Sequence, residues 1–235
     1  MSLPDLDLQI IYARIAWGLI AAAMLLSVLP TLLPRIFPQL ANRTKAIVIA
    51  TVAVVMLLPG AASPAYWLTL VFQYPSGLLA GYSLVALLAR WRERPVIFPL
   101  HPAFAALLTV SGVVLYLDAF GVLSLGLYYR GFDSGAATLL TCAAAVAAGA
   151  AILFRFAGSA GLALMTSVLL FSLLRLPTGN LWDALLDPLV WAWAAGSVIL
   201  AGVRRRQARK AAAQPQPEVE PEPELATARV ANGIE

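Results

Sequence analysis

One cysteine, one histidine and two lysines occur among 235 residues, and only 12% of the chain is charged. Each scarcity excludes a class of chemistry. With Cys142 alone, no disulfide can close within the chain and no thiolate cluster can hold a metal. With His101 alone, bis-histidine haem ligation and multi-histidine metal sites are excluded. Lys45 and Lys210 both lie outside the apolar runs, so no span offers a lysine for a retinal-type Schiff base. The chain also lacks GxSxG, HExxH and a glycine-rich phosphate loop, and no serine and histidine pair up on one side of the expected bundle. These absences lean against an enzyme. No catalytic residue, metal site or cofactor is assigned.

Apolar surface is what the chain has in quantity. It is 61% hydrophobic, where soluble domains are about half apolar and about a quarter charged, and this marks an integral membrane protein. The start, "MSLPDLDLQIIYAR", is acidic where a secretory signal carries positive charge, so the first apolar segment is expected to remain as a permanent span. The net charge of +4 resides at the ends of hydrophobic runs, which points to orientation in a membrane and not to nucleic acid.

Because a helix needs about 20 mostly apolar residues to cross about 30 Å of hydrocarbon, seven segments qualify. They lie near Ile10–Leu33, Ala46–Leu58, Tyr66–Ala89, Pro102–Gly121, Ala136–Phe154, Gly158–Leu174 and Leu181–Val203. The second is short and has the least defined ends. Lipid offers backbone groups no partners, so each segment must be helical. The expected fold is an all-α integral membrane bundle of about seven transmembrane helices.

Charge placement assigns the sides. Arg35, Arg43 and Lys45, then Arg90, Arg92 and Arg94, then Arg155, and finally "RRRQARK" at 204–210 fall in alternate loops. The other loops hold only Arg130 and Arg175. Positive charge favours the cytoplasm, so the N-terminus is expected outside and the C-terminus inside a multi-pass protein of the inner (plasma) membrane. Residues 1–210 form the bundle. Residues 211–235 alternate proline and glutamate and are expected to be a disordered cytoplasmic tail.

Two features suggest helix packing and shape. Gly77 and Gly81 form a small-xxx-small pair, and "TCAAAVAAGAA" makes the fifth span almost wholly small, so both can approach neighbouring helices closely. Packing within the bundle is preferred over a homo-oligomer or partner-subunit interface. Gln73 and Pro75 interrupt the third segment, where a simple kink is preferred over a broken helix lining a cavity.

Chemistry concentrates at the outer side, where Asp118, Arg130, Asp133, Arg175, Asn180, Asp183 and Asp187 are expected. The inner half of the bundle is expected to lack ionisable groups. Ionisable residues in spans are expensive and usually functional, so these seven define a candidate polar vestibule. Asn180, Asp183 and Asp187 are spaced by three and four and would share one face of a continuous helix. Capping competes with that reading. Asn180 suits an N-cap, and Asp187 followed by Pro188 suits a second. Capping is preferred for Asp187 and the cavity for Asp118, which no proline or turn follows.

The expected function is therefore an accessory or assembly subunit of a membrane complex, with the lipid bilayer and a membrane-protein partner or a second copy as its contacts. The alternative is a small transporter whose acidic vestibule takes a cation or cationic substrate. A carboxylate-dependent transferase on the outer face is weaker. The topology can be tested directly: a reporter active only in the cytoplasm should work after Arg94 and Lys210 and be silent after Gly60 and Arg130. Activity after Gly60 would mean that the short second segment does not cross.

Overall fold

The computed structural model describes residues 3–32, 40–93 and 100–213, and those residues contain helices and no strand. The helices are α1 (Leu6–Leu32), α2 (Asn42–Met56), α3 (Pro64–Phe72), α4 (Gly77–Trp91), α5 (Pro102–Ala119), α6 (Ser134–Leu153), α7 (Gly158–Leu174), α8 (Leu181–Leu185) and α9 (Pro188–Ala213). Three stretches are long and apolar enough to cross a membrane, namely Leu6–Pro30, Pro102–Ala119 and Ser134–Leu153. By contrast α2 and α4, at 15 residues each, are about 22 Å long, short of a full crossing.

Two compact units are distinguished, Met1–Val198 and Ile199–Glu235. Within the described part of the second, the chain is the C-terminal half of α9, which continues to Ala213, past the boundary expected at Lys210. The rest of the expected tail, with Arg35 and Arg94, lies outside the described residues.

Two of the expected spans are interrupted. The third is divided into α3 and α4 by residues 73–76, so the expected kink at Gln73 and Pro75 is corrected to a full break. The cause is local. Proline cannot donate to a helical ladder, and Gln73 adopts φ 61°, ψ −155°, a backbone region essentially reserved for glycine. Pro75 and Ser76 are fully buried, and the Tyr12 hydroxyl of α1 donates to the Pro75 carbonyl at 2.8 Å. The seventh span is divided at Leu186 and Asp187 into α8 and α9, which removes the continuous face expected for Asn180, Asp183 and Asp187.

Packing follows the small residues. Gly77 and Gly81 of α4 lie directly on Ser167 and Ala163 of α7, so close that a Cβ at Gly81 would stand 2.6 Å from the Ala163 carbonyl oxygen and 2.9 Å from its Cα. Gly161 of α7 meets α6 in the same way, 2.8 Å from the Ala148 carbonyl oxygen. A central apolar cluster joins Leu78 of α4, Ala105, Leu108 and Leu115 of α5, Ala163 of α7, and Val190 and Ala194 of α9. A second gathers Ala13, Trp17 and Ile20 of α1 with Met56 and Ala65.

At the helix ends assigned by charge to the inner side, basic groups are tied into the packing. Lys45 is buried and donates to Asn42 Oδ1 at 3.0 Å and the Arg90 carbonyl at 2.9 Å. Arg90 reaches across to α1, giving hydrogen bonds to the Leu26 carbonyl at 2.7 Å and Ser27 Oγ at 2.9 Å. Long basic side chains can bury their stems while their heads find backbone oxygens.

Two glycines should therefore respond oppositely to an added methyl group. Gly81→Ala pushes against the α7 backbone and should cost about 1–3 kcal/mol, as overpacking does. A Cβ at Gly149 of α6 meets nothing within 4 Å, so Gly149→Ala should stabilise by about 0.5–1 kcal/mol through helix propensity. Thermal unfolding of the purified variants in one detergent checks both signs.

Candidate functional site

Asp118 lies in the last turn of α5, where the chain leaves the helix through Gly121 in a left-handed conformation. The loop then turns back over the carboxylate. Oδ1 accepts from the Leu125 and Gly126 amides at 2.8 and 2.9 Å, and Oδ2 accepts from the Tyr128 amide at 2.8 Å. Asp118 is buried, with 6% of its surface exposed. The expectation that no turn follows it is corrected: Gly121 and Gly126, both at positive φ, let the loop bring three amides to one side chain. The Asp118 carboxylate is a loop anchor.

Tyr128 carries the network onward. Its hydroxyl contacts the Asp183 carboxylate at 3.1 and 3.3 Å, and its carbonyl accepts from Asn180 Nδ2 at 3.3 Å. Thr178 Oγ1 donates to Asp183 Oδ2 at 2.5 Å. Asn180 is fully buried and caps α8, its Oδ1 accepting from the Trp182 amide at 2.9 Å. The Trp182 indole donates back to the Leu127 carbonyl at 2.8 Å. Residue 131 must be glycine here, because a Cβ would run into Asn180 Oδ1.

Asp183 therefore belongs to the five-residue helix α8, separate from the longer α9. Burial raises its carboxyl above the ordinary range, against the smaller lowering effect of the Thr178 and Tyr128 hydroxyls. Burial, then the charge of Asp183 and its hydrogen bond, push the Tyr128 phenol up to about 12. The pair works as a phenol donating to a carboxylate.

Asp187 is separate from these. As N-cap of α9 its Oδ1 accepts from the Val190 amide at 2.7 Å, the third helical position. Its Oδ2 accepts from the Ser76 amide at 2.7 Å, 111 residues earlier, at the start of α4. Ser76 in turn caps α4, its hydroxyl oxygen accepting from the Leu79 amide at 3.1 Å. One buried carboxylate thus meets the N-termini of two helices, whose dipoles both favour negative charge there.

The remaining expected residues stand apart. Asp133 is exposed and caps α6 through the Gly135 and Ala136 amides. Arg130 is exposed in a 3₁₀ turn, Tyr129–Gly131. Arg175 ends α7 in the left-handed conformation, with its guanidinium carbon 5.0 Å from the centre of the Phe171 ring. No arginine pairs with any of the aspartates among the described residues, and no three metal-ligating side chains converge there.

Sequence reasoning missed Tyr128 and Thr178, the hydroxyl partners of Asp183, and Ser76 and Tyr12, which secure the break in the third span. Ser76 could have been found as a Ser-Gly pair directly after proline, a helix-start signal. Arg14, inside the first apolar segment, was also passed over although its charge is visible in the sequence. No protein-family profile, curated protein or solved structure matches the chain.

Asparagine keeps a cap's acceptor oxygen but supplies only one, and Asp187 uses two. Asp187→Asn should therefore lose about 1–3 kcal/mol through one unsatisfied buried amide, and Asp187→Ala roughly twice that. Ser76→Pro, which removes that amide at a φ of −65° that proline adopts, tests the pairing: in denaturant unfolding it should cost less in the Asp187→Ala background than in wild type, and an equal cost in both would mean that the amide and the carboxylate act independently.

Proposed function

We propose that the chain is a multi-pass inner-membrane protein without catalytic activity, serving as an accessory or assembly subunit of a membrane complex. Its seven crossings would be α1, α2, the interrupted pair α3 and α4, α5, α6, α7 and α9, with the N-terminus outside. Alternation of basic loops supports that orientation.

One observation carries the functional reading. Asp118, Asp133 and Asp187 accept hydrogen bonds from the chain's own backbone amides, and Asp183 accepts from two hydroxyls. A carboxylate offers about four lone-pair positions, and Asp118 has committed three of them. Groups so engaged order loops and helix ends and are poorly disposed to take up and release a cation. Large apolar side chains on α6, including Leu139, Val146 and Leu153, are exposed, as befits a helix facing lipid or a partner.

The transporter reading retains one favourable observation, the meeting of two interrupted helices at Asp187, since broken helices near a charged group are a frequent feature of transport sites. Purification of the tagged chain from membranes in mild detergent separates the two. An accessory subunit should bring down a stoichiometric partner protein. Recovery of the chain alone or as a homo-oligomer, together with cation-dependent changes in its melting temperature that Asp183→Asn abolishes, would replace the subunit reading with the transporter.

A further inference from the structure

Arg14 lies on α1, eight residues from its start at Leu6, or about 12 Å along the axis. It is half-buried, and among the described residues it makes no ion pair and no hydrogen bond. Asp7, two turns earlier on the same helix, does not pair with it. The neighbouring helices α2 and α4 contain no acidic residue. An arginine inside an apolar helix without an internal counter-charge is costly unless its head reaches a polar partner.

A cleft begins at this side chain. It has a volume of about 140 Å³ and lies along α1 from Arg14 to Ala22, walled by Ile49, Ala53 and Leu57 on the side of α2 and by Leu87 of α4. Arg14 is the sole charged residue of its lining, and the remaining walls are apolar. From Arg14 to Ala22 the cleft follows about 12 Å of helix. A cation at one end of an apolar channel is complementary to a molecule with an anionic head and a hydrocarbon chain, and guanidinium pairs well with phosphate oxygens.

We propose that Arg14 and the α1–α2 cleft bind one anionic phospholipid, the guanidinium holding its phosphate and the cleft part of one acyl chain. The inference rests on the reading of the chain as a membrane protein, and not on its role as a subunit. The site recognises a lipid and not free phosphate, because the phosphate alone would leave the apolar cleft uncovered.

The full-length chain, extracted in mild detergent from carbonate-washed membranes, is incubated with micelles containing phosphatidylglycerol or phosphatidylcholine, or with inorganic phosphate, the retained lipid is quantified by mass spectrometry, and the melting temperature is recorded in each case. Wild type should retain phosphatidylglycerol over phosphatidylcholine by about fivefold, the factor expected for one arginine at an anionic lipid surface. Arg14→Gln should remove that preference and Arg14→Lys keep part of it. Ala53→Phe, which fills the cleft but leaves the charge, should lower retention of both lipids. Equal retention by Arg14→Gln, retention unaffected by Ala53→Phe, no preference in wild type, or equal thermal stabilisation by inorganic phosphate would each overturn the proposal. Absence of the chain from washed membranes would instead overturn the membrane reading itself.

Discussion

The Asp187 carboxylate is the junction on which the interrupted helices depend. Breaking a helix inside an apolar environment exposes amides that neither lipid nor hydrocarbon side chains can satisfy. Here the breaks at residues 73–76 and 186–187 share their remedy, because one side chain accepts from both the α9 and the α4 N-terminal regions. The two oxygens of a carboxylate suit this, and negative charge is favoured where two helix N-termini converge. Pro75 withdraws a donor at the same break, and its carbonyl is taken by Tyr12. Thus three segments distant in sequence, on α1, α4 and α9, are joined by short polar bonds within apolar packing.

The same arrangement governs the C-terminal end of α5. Asp118 gathers three amides of the following loop, and that loop delivers Tyr128 to Asp183 and Asn180. Inside low-dielectric surroundings each such bond is strengthened, and each missing one would be costly. A loop rich in exposed apolar side chains, with Phe120, Val122 and Leu125 at the surface, would otherwise have little to hold it in one conformation. The acidic residues therefore order structure that the hydrophobic pattern leaves free. Arg14 differs from all of them in having no such partner among the described residues.

The helical class, and the apolar character of the helices, could be read from composition and from run length. Asp133 and Asn180 cap helices because their short polar side chains reach the free amides of the next turn, a local relation visible in sequence. Close contact at Gly77 and Gly81 was likewise legible as a small-residue spacing, although the spacing does not name α7 as the helix that approaches. Asp118 was misread because the decisive feature lies in the loop after it: two glycines at positive φ turn the chain back, and neither the turn nor its amides register in a hydropathy pattern.

What the sequence by itself determined was therefore local: which stretches are apolar enough to be helices in lipid, where charge lies along them, and which side chains can cap an adjacent turn. Only the tertiary structure decided that the third apolar segment is divided, and that Asp183 and Asp187 serve different networks; the helix start at Pro188 was already legible as the cap at Asp187. Helical periodicity assumes a continuous helix, and four residues of spacing place two side chains together only if no break intervenes. The break at Asp187 is stabilised by an amide 111 residues away. Pairings at that separation depend on how the whole chain packs, and no local pattern of residues encodes them.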